Sequence, residues 1–253
     1  MTQSVLHIVM ALLLLAIPAG ALYLMDKPSL RTFAVAVVRM VAQVLFLCLV
    51  VWGMIRFDSA LANLIWLLLS VAVAALVATH RGRLNAKKFL PSVYCGLLVG
   101  TLSVGLYLLY LVIPVRNGMD PRWFVPVMYL LMGHTTTMLI RGVSAYHTAL
   151  KADEQQYEFL RGNGVTHFQA VKPFVRRALL AVISPTAANL SVMGLYAMPL
   201  LLCGIFIGGV APINAFAVML MLTFGCVAAS VIALFVTFWL ADRCIFDKYG
   251  KLV

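Results

Sequence analysis

Two apolar blocks, residues 5–140 and 179–240, confine their charges to short breaks, and one polar stretch, residues 141–177, separates them. A helix of about 20 residues crosses the hydrocarbon core of a bilayer. Divided at their breaks, the blocks give seven segments of that order: 5–25, 33–55, 60–78, 90–113, 123–140, 179–208 and 213–240. A bilayer offers no water to unpaired backbone groups, and the blocks lack the alternation of a barrel strand, so each is expected to be a helix. The expected fold is an all-α membrane protein, one polytopic domain over residues 1–253. It has about seven transmembrane helices and a cytoplasmic helical hairpin, residues 142–177, between spans five and six.

Composition closes the other classes. With 64% hydrophobic and 11% charged residues, a soluble domain of 253 residues cannot hide its apolar surface. The net charge of +11 raises the question of nucleic acid, but the basic residues sit at span ends and form no single patch, so no nucleic-acid partner is expected. Cys48, Cys95, Cys203, Cys226 and Cys244 make no C-x-x-C pair, and they read as small buried apolar residues. Residues 5–25 could pass for a signal peptide, with Ala19-Gly20-Ala21 as a small-residue site. No Lys or Arg precedes the block and the run is long for such a segment, so it is expected to stay as the first span.

The basic residues orient the chain. In a seven-span arrangement, 16 of the 19 Lys and Arg residues fall on one side, in the first and third loops, the long insert and the C-terminal tail, leaving Arg56, Arg116 and Arg122 on the other. The positive-inside pattern then puts the N-terminus outside and the insert and C-terminus in the cytoplasm, in a cell inner (plasma) membrane. The sixth block is unusual. It is 30 residues long and holds Pro185 and Pro199. It is either bent or partly re-entrant, or a long tilted helix that runs on into the cytoplasm.

Several chemistries are missing. All eight acidic residues lie outside the seven segments, which weighs against a proton-driven carrier, since such carriers commonly place a titratable carboxylate in the membrane. There is no G-x-x-x-x-G-K-[ST] loop to cradle nucleotide phosphates, and no nucleophile–base constellation stands out. The chain is expected to be no enzyme and to bind no cofactor of its own. Energy for work across the membrane would enter through a partner.

The insert is built like a handle. Residues 153–161 are polar and helix-favouring, Gly162-Asn163-Gly164 breaks them, and Thr166 with Gln169 three positions on has the form of a capping box opening a second helix. A helix, a glycine turn and a capped helix make a hairpin suited to a groove on a cytoplasmic subunit. The alternative is an amphipathic element touching only lipid headgroups, against which its acidic first helix argues.

Gly164-Val165-Thr166-x-x-Gln169-Ala170 resembles the G-A-[ST]-x-x-Q-A core of the coupling loop in ABC-transporter permeases, where acidic residues also precede the glycine, as Glu154 and Glu158 do here. The wider layout is similar to the Fet-type iron-export permeases, to which a plant aluminium-tolerance permease is related. Arg39-x-x-x-Gln43, Arg81 and Arg83 closing an Ala-rich span, Arg176, Pro185-Thr186, Gly194-Leu195 with Pro199, and Gly204, Gly208-Gly209 and Pro212 follow in the family's order over about 200 residues. The chain departs from the pattern at Ala188 and Ser191, where the family has an acid and a lysine. It departs also at Leu200, Met219 and Gly133-His134-Thr135-Thr136. The resemblance implies a permease subunit that pairs as a homodimer and recruits a cytoplasmic ABC ATPase. ATP and Mg would bind in that partner, and Glu154, Glu158, Gly164, Thr166 and Gln169 would dock to it.

Within the spans, Arg39 and Gln43 share one helical face and either line a path or serve as an interfacial cation and an interhelical hydrogen bonder. His134 and Thr135 belong to the densest polar cluster inside a span, and Asn189 and Ser191 flank a proline. Both groups are either path-lining or structural. Met193, Met198, Cys203, Met219, Met221 and Cys226 read as packing rather than as a soft-metal path, and no metal site is assigned. Gly96-x-x-x-Gly100 and Gly204-x-x-x-Gly208 allow close helix contact, within a subunit or between two. The function so reached is the transmembrane subunit of an ABC transporter, an exporter of a metal ion, iron first, or of an organic or lipid-like solute. The other classes are a stand-alone secondary carrier and a membrane scaffold or sensor.

Overall fold

The computed structural model describes residues 10, 13–25, 27–57, 59–82, 84, 86–113, 117–209 and 211–245, with backbone alone at 86–88, 194–201, 203–204, 206–207 and 244–245. The described residues are all-α. In chain order the helices are α1 (Ala16–Met25), α2 (Lys27–Phe57), α3 (Ala60–Arg81), α4 (Ala86–Tyr107), α5 (Pro121–Ala152), α6 (Glu154–Gly162), α7 (His167–Ile207) and α8 (Pro212–Ile245). Two compact units result. Met1–Phe57 holds α1 and α2, and Asp58–Val253 holds the rest.

Five described helical stretches have the length and apolarity to cross a membrane: Lys27–Phe57, Ala60–Arg81, Phe89–Val112, Pro121–Ala152 and Pro212–Arg243. They contain the expected spans two, three, five and seven, and the expected fourth, 90–113, up to its last residue, Ile113, which is extended. The expected first span begins among residues 1–9, outside the described residues, and ends as the short apolar helix α1. The expected sixth lies in α7, part of whose side chains fall outside the described ones, as do those of Gly194, Met198, Pro199, Cys203 and Gly204.

Of the two readings of the sixth block, the unbroken helix is observed. α7 runs for 41 residues through Pro185 and Pro199, or about 60 Å at 1.5 Å per residue. That is roughly twice what a bilayer core needs, so its first turns extend beyond any span. The second arm of the hairpin and the sixth span are therefore one rod. α5 likewise continues twelve residues past the apolar segment, which ends at residue 140, to Ala152, because no Pro or Gly follows Gly142 to stop it. The polar insert is thus mostly the prolonged ends of two long helices, with only α6 and a four-residue turn between them.

The main packing seam of the second unit joins α4 to α8. A Cβ on Gly96 would strike the Thr237 hydroxyl, and one on Gly100 would come within 2.6 Å of the Ala229 carbonyl oxygen. This glycine pair therefore serves contact inside the chain. α4 ends in one turn of π-helix, Leu108–Val112, closed by the Ile113 N–H donating to the Leu108 carbonyl at 2.8 Å. α5 starts cleanly because the Asp120 carboxylate accepts from the Arg122 N–H at 3.0 Å and Pro121 supplies the first helical position. Near this end, Trp66 Nε1 donates to the Tyr129 hydroxyl at 2.7 Å, and Ser70 lies 2.8 Å from the same oxygen, binding α3 to α5.

Candidate functional site

Three helices enclose a cavity of about 290 Å³ within the second unit. α5 presents His134, Thr137, Met138 and Arg141; α7 presents Thr186, Asn189 and Met193; α8 presents Met219, Thr223 and Cys226. On α5 these positions recur at three- and four-residue steps, so one face of a single helix supplies them.

The hydroxyls here direct their protons chiefly to carbonyls of their own helices, Thr186 also standing 3.4 Å from the Met138 sulfur on α5. Thr137 donates to the Gly133 carbonyl at 3.1 Å, Thr223 to Met219 at 2.8 Å, and Thr186 to Val182 at 2.7 Å. What each can still offer a ligand is an acceptor oxygen and a methyl group. Ser230 does the same, donating to the Cys226 carbonyl at 2.7 Å. Its oxygen stands 3.0 Å from His134 Nδ1. If the serine proton stays on that carbonyl, Nδ1 is the donor and a neutral His134 keeps Nε2 as an acceptor. Arg141 is the single cation among the described lining residues, and none of them is a carboxylate.

Of the expected path residues, His134 and Asn189 meet at this cavity, with Thr137 of the same polar cluster as His134; Arg141, Thr186 and Thr223 join them, and these three the sequence reading had not singled out as path residues. Thr135 is fully buried, does not line the cavity, and its hydroxyl has no partner among the described residues. Ser191 is exposed and bonds back to the Ala188 carbonyl at 2.6 Å. Arg39 and Gln43 lie on α2 of the other unit, both exposed, with Arg39 along a shallow surface formed with Ala34, Val35, Val38 and Ala42. Met193, Met219 and Cys226 all reach the cavity wall, with Met138 beside them.

The hairpin stands at the α5 C-terminal end of the same unit. α6 closes on Asn163, and Gly164 takes φ +80°. The Val165 N–H donates to the Leu160 carbonyl at 3.2 Å and the Gly164 N–H to Arg161 at 3.1 Å, the paired closure of a Schellman motif that calls for glycine at that position. The Thr166 carbonyl then accepts the first bond of α7, from Ala170 at 3.0 Å. Glu154, Glu158, Gly164, Thr166 and Gln169 are all exposed. Phe159 and Phe168, 69% and 80% exposed, flank the turn as bare aromatic knobs. These two are the hairpin residues that helical patterning missed. Their exposure follows from tertiary packing, which instead buries Tyr157.

Below the knobs the hairpin is tied down. The Tyr157 hydroxyl lies 2.9 Å from His167 Nδ1, His167 Nε2 lies 3.9 Å from an Asp242 carboxylate oxygen, and the Tyr146 hydroxyl donates to the other Asp242 oxygen. Burial pushes the Tyr157 phenol above its usual range, with the nearby Arg161 opposing. At the hinge between α5 and α6, Arg177 on α7 pairs with Asp153.

A bundle of membrane-length helices around a polar-spotted cavity, with a helical hairpin at one end, is the form of a multi-pass membrane protein. A family model described as Uncharacterised protein family (UPF0014) matches residues 5–246, and the chain belongs to that family. Its relatives include the UPF0014 membrane protein slr1647 of Synechocystis, 26% identical over 62% of this chain and 61% of that protein. The chain thus spans less than two thirds of that relative. The probable iron export permease protein FetB of Escherichia coli is 21% identical over 85% of this chain and 82% of its own length. The protein ALUMINUM SENSITIVE 3 of Arabidopsis thaliana is 26% identical over 74% and 68%. No solved structure matches.

Proposed function

We propose that this chain is the permease subunit of an ATP-binding-cassette exporter, paired as a homodimer and driven by a separate cytoplasmic ATPase. The observation that carries the reading is the hairpin. Its outer face is acidic on α6 and carries two bare aromatic side chains, Phe159 and Phe168, while its inner face is fastened to the bundle. Aromatic anchors ringed by charge are what a docking element needs to fill a groove on a partner. ATP and Mg would be bound by that partner, and closure of the paired ATPases would displace the hairpin and, through α5 and α7, the cavity walls. Co-purification tests this. Gly164→Pro demands a negative φ where the turn needs +80°, and Glu158→Arg reverses a docking charge. Each should strip a Walker-motif ATPase from the purified chain, and unchanged association would count heavily against docking.

Iron is the cargo by analogy with the E. coli relative's name, and the transport path is assigned to the cavity, with His134 and Asn189 in its wall. A second reading has a specific observation in its favour. Non-haem iron sites commonly combine two imidazoles with a carboxylate, whereas the described lining offers a single imidazole and no carboxylate beside acceptor hydroxyls, an amide, thioethers, a thiol and one guanidinium. That lining suits an amphipathic organic solute bearing an anionic group. Comparing a deletion strain's sensitivity to iron salts and to organic anions separates the two. Replacing His134 and Asn189, both in the cavity wall, together by Leu should impair transport of either cargo while leaving assembly intact.

A further inference from the structure

Four side chains from four helices meet at the hairpin end of the bundle. Tyr146 sits on α5, Tyr157 on α6, His167 opens α7 and Asp242 closes α8. Three of these helices, α5, α7 and α8, are the ones that wall the cavity, and the fourth is the first arm of the hairpin. Asp242 is the shared member. One carboxylate oxygen accepts from Tyr146 and the other faces His167 Nε2 at 3.9 Å. If the Tyr157 O–H donates to His167 Nδ1 across their 2.9 Å, the imidazole proton must sit on Nε2, directed toward Asp242. The Asp242 side chain is 21% exposed, Tyr146 is fully buried, and its ring stacks at a tilt on Phe238 at 4.9 Å. A displacement of α6 or of the α7 start cannot proceed without either carrying Asp242 along or breaking these contacts.

We propose that Asp242 is a positioning residue through which movement of the hairpin reaches the cavity helices, an inference that rests on the hairpin being the ATPase-coupling element. The other fastening, Arg177 with Asp153, ties α7 only to the α5–α6 hinge, both partners substantially exposed, and reaches no residue of α8. Among the described hydrogen bonds and ion pairs, those of Asp242 join the hairpin to the helix carrying Cys226 and Thr223.

The test uses the full chain co-purified with its ATPase in lipid nanodiscs. Cys226 lines the cavity, so its alkylation by N-ethylmaleimide, followed by peptide mapping, reports cavity shape with and without ATP and vanadate. In the wild type the rate should change by about fivefold or more on trapping, the scale of a typical coupling between sites. Asp242→Asn should hold its ATPase at the wild-type ratio and hydrolyse ATP, yet lose that nucleotide-dependent change. Tyr146→Phe, a milder loss of one hydrogen bond, should reduce it. Exchanging the partners, His167→Asp with Asp242→His, should restore it in part, which a purely structural loss would not do. An undiminished change in both Asp242→Asn and Tyr146→Phe overturns the proposal while leaving the coupling reading intact. Absence of any ATPase on the wild-type chain overturns the coupling reading, and the proposal falls with it.

Discussion

Around the cavity, hydroxyls bond to their own helices; at the hairpin end, polar side chains bond across helices. Thr137, Thr186, Thr223 and Ser230 each donate to a carbonyl one turn back, and His134 with Ser230 is the one hydrogen bond there, among those described, linking α5 to α8. Tyr146, Asp242, His167 and Tyr157 instead form a continuous chain over four helices. The first arrangement lets helices slide at the cost of few hydrogen bonds, His134 with Ser230 and the weak contact of Thr186 with the Met138 sulfur, because the other bonds move with their own helices. The second makes helices move together. A molecule that must change the shape of a cavity in response to a push at one end needs both, a deformable wall and a stiff link.

The comparison presumes a fixed frame, and breaking that frame should give the largest effect. α4 and α8 touch through Gly100, whose added Cβ would meet the Ala229 carbonyl oxygen at 2.6 Å. Gly100→Leu forces backbone apart over this seam and should cost about 3 kcal/mol or more, seen as loss of monodisperse chain in detergent. Gly133→Leu, with nothing within 4 Å of its would-be Cβ, is the matched control and should remain well folded.

The stiff link comes next. Asp242→Ala leaves the Tyr146 hydroxyl buried without its acceptor, which should lower thermal stability by about 2 kcal/mol and raise amide exchange in α6 and in the last turns of α5 together. Exchange rising in α6 alone would show that the two helices are not joined. Tyr157→Phe removes one hydrogen bond at the periphery of the network and should cost about 1 kcal/mol, loosening α6 but sparing α8. The Tyr157 phenol also sets a pH dependence. Its folded pKa is raised by burial, so the folded hairpin favours the neutral ring. That stabilisation is complete below about pH 10, the ordinary value, and is lost as pH climbs through the folded value. Hydrogen exchange of residues 154–162 should therefore accelerate above pH 10 in the wild type, and Tyr157→Phe should remove the Tyr157 share of the acceleration.

How far these features could be read in advance depended on their range along the chain. Apolar length alone located the five spanning stretches that the structure describes, because a bilayer-sized helix needs no partner to be recognised. The turn at Gly164 was equally legible, since a glycine after a short polar helix states its own backbone geometry. Asp242 was not. In sequence it is an acid just past the last apolar segment, and only packing brings it to Tyr146, 96 residues away. Likewise His134 and Asn189 looked like separate polar spots, and nothing in either segment told that α7 would carry one to the other, or that Thr135, next to His134, would face away from the cavity. The continuity of α7 was one of two readings that the sequence left open, for a different reason. Pro185 is a helix breaker in water, whereas a membrane supplies no competing solvent for the freed carbonyl, and the helix persists through it.

The smallest stability effect belongs to the deformable wall, and it sharpens the contrast most. Thr137→Val keeps the shape of the side chain and deletes a hydroxyl whose proton serves only the Gly133 carbonyl. That carbonyl already sits within helix geometry, so unfolding should shift by no more than about 0.5 kcal/mol. Tyr146→Phe, an equally conservative deletion of one hydroxyl, should cost several times that, because its bond joins two helices. Transport should rank the pair differently. Thr137→Val removes an acceptor oxygen from the cavity wall and should slow cargo movement at unchanged ATP hydrolysis if cargo passes there. Equal stability losses for the two variants would mean that bonds within and between helices do not differ in their mechanical role. Unaltered transport in Thr137→Val would move the path away from this cavity.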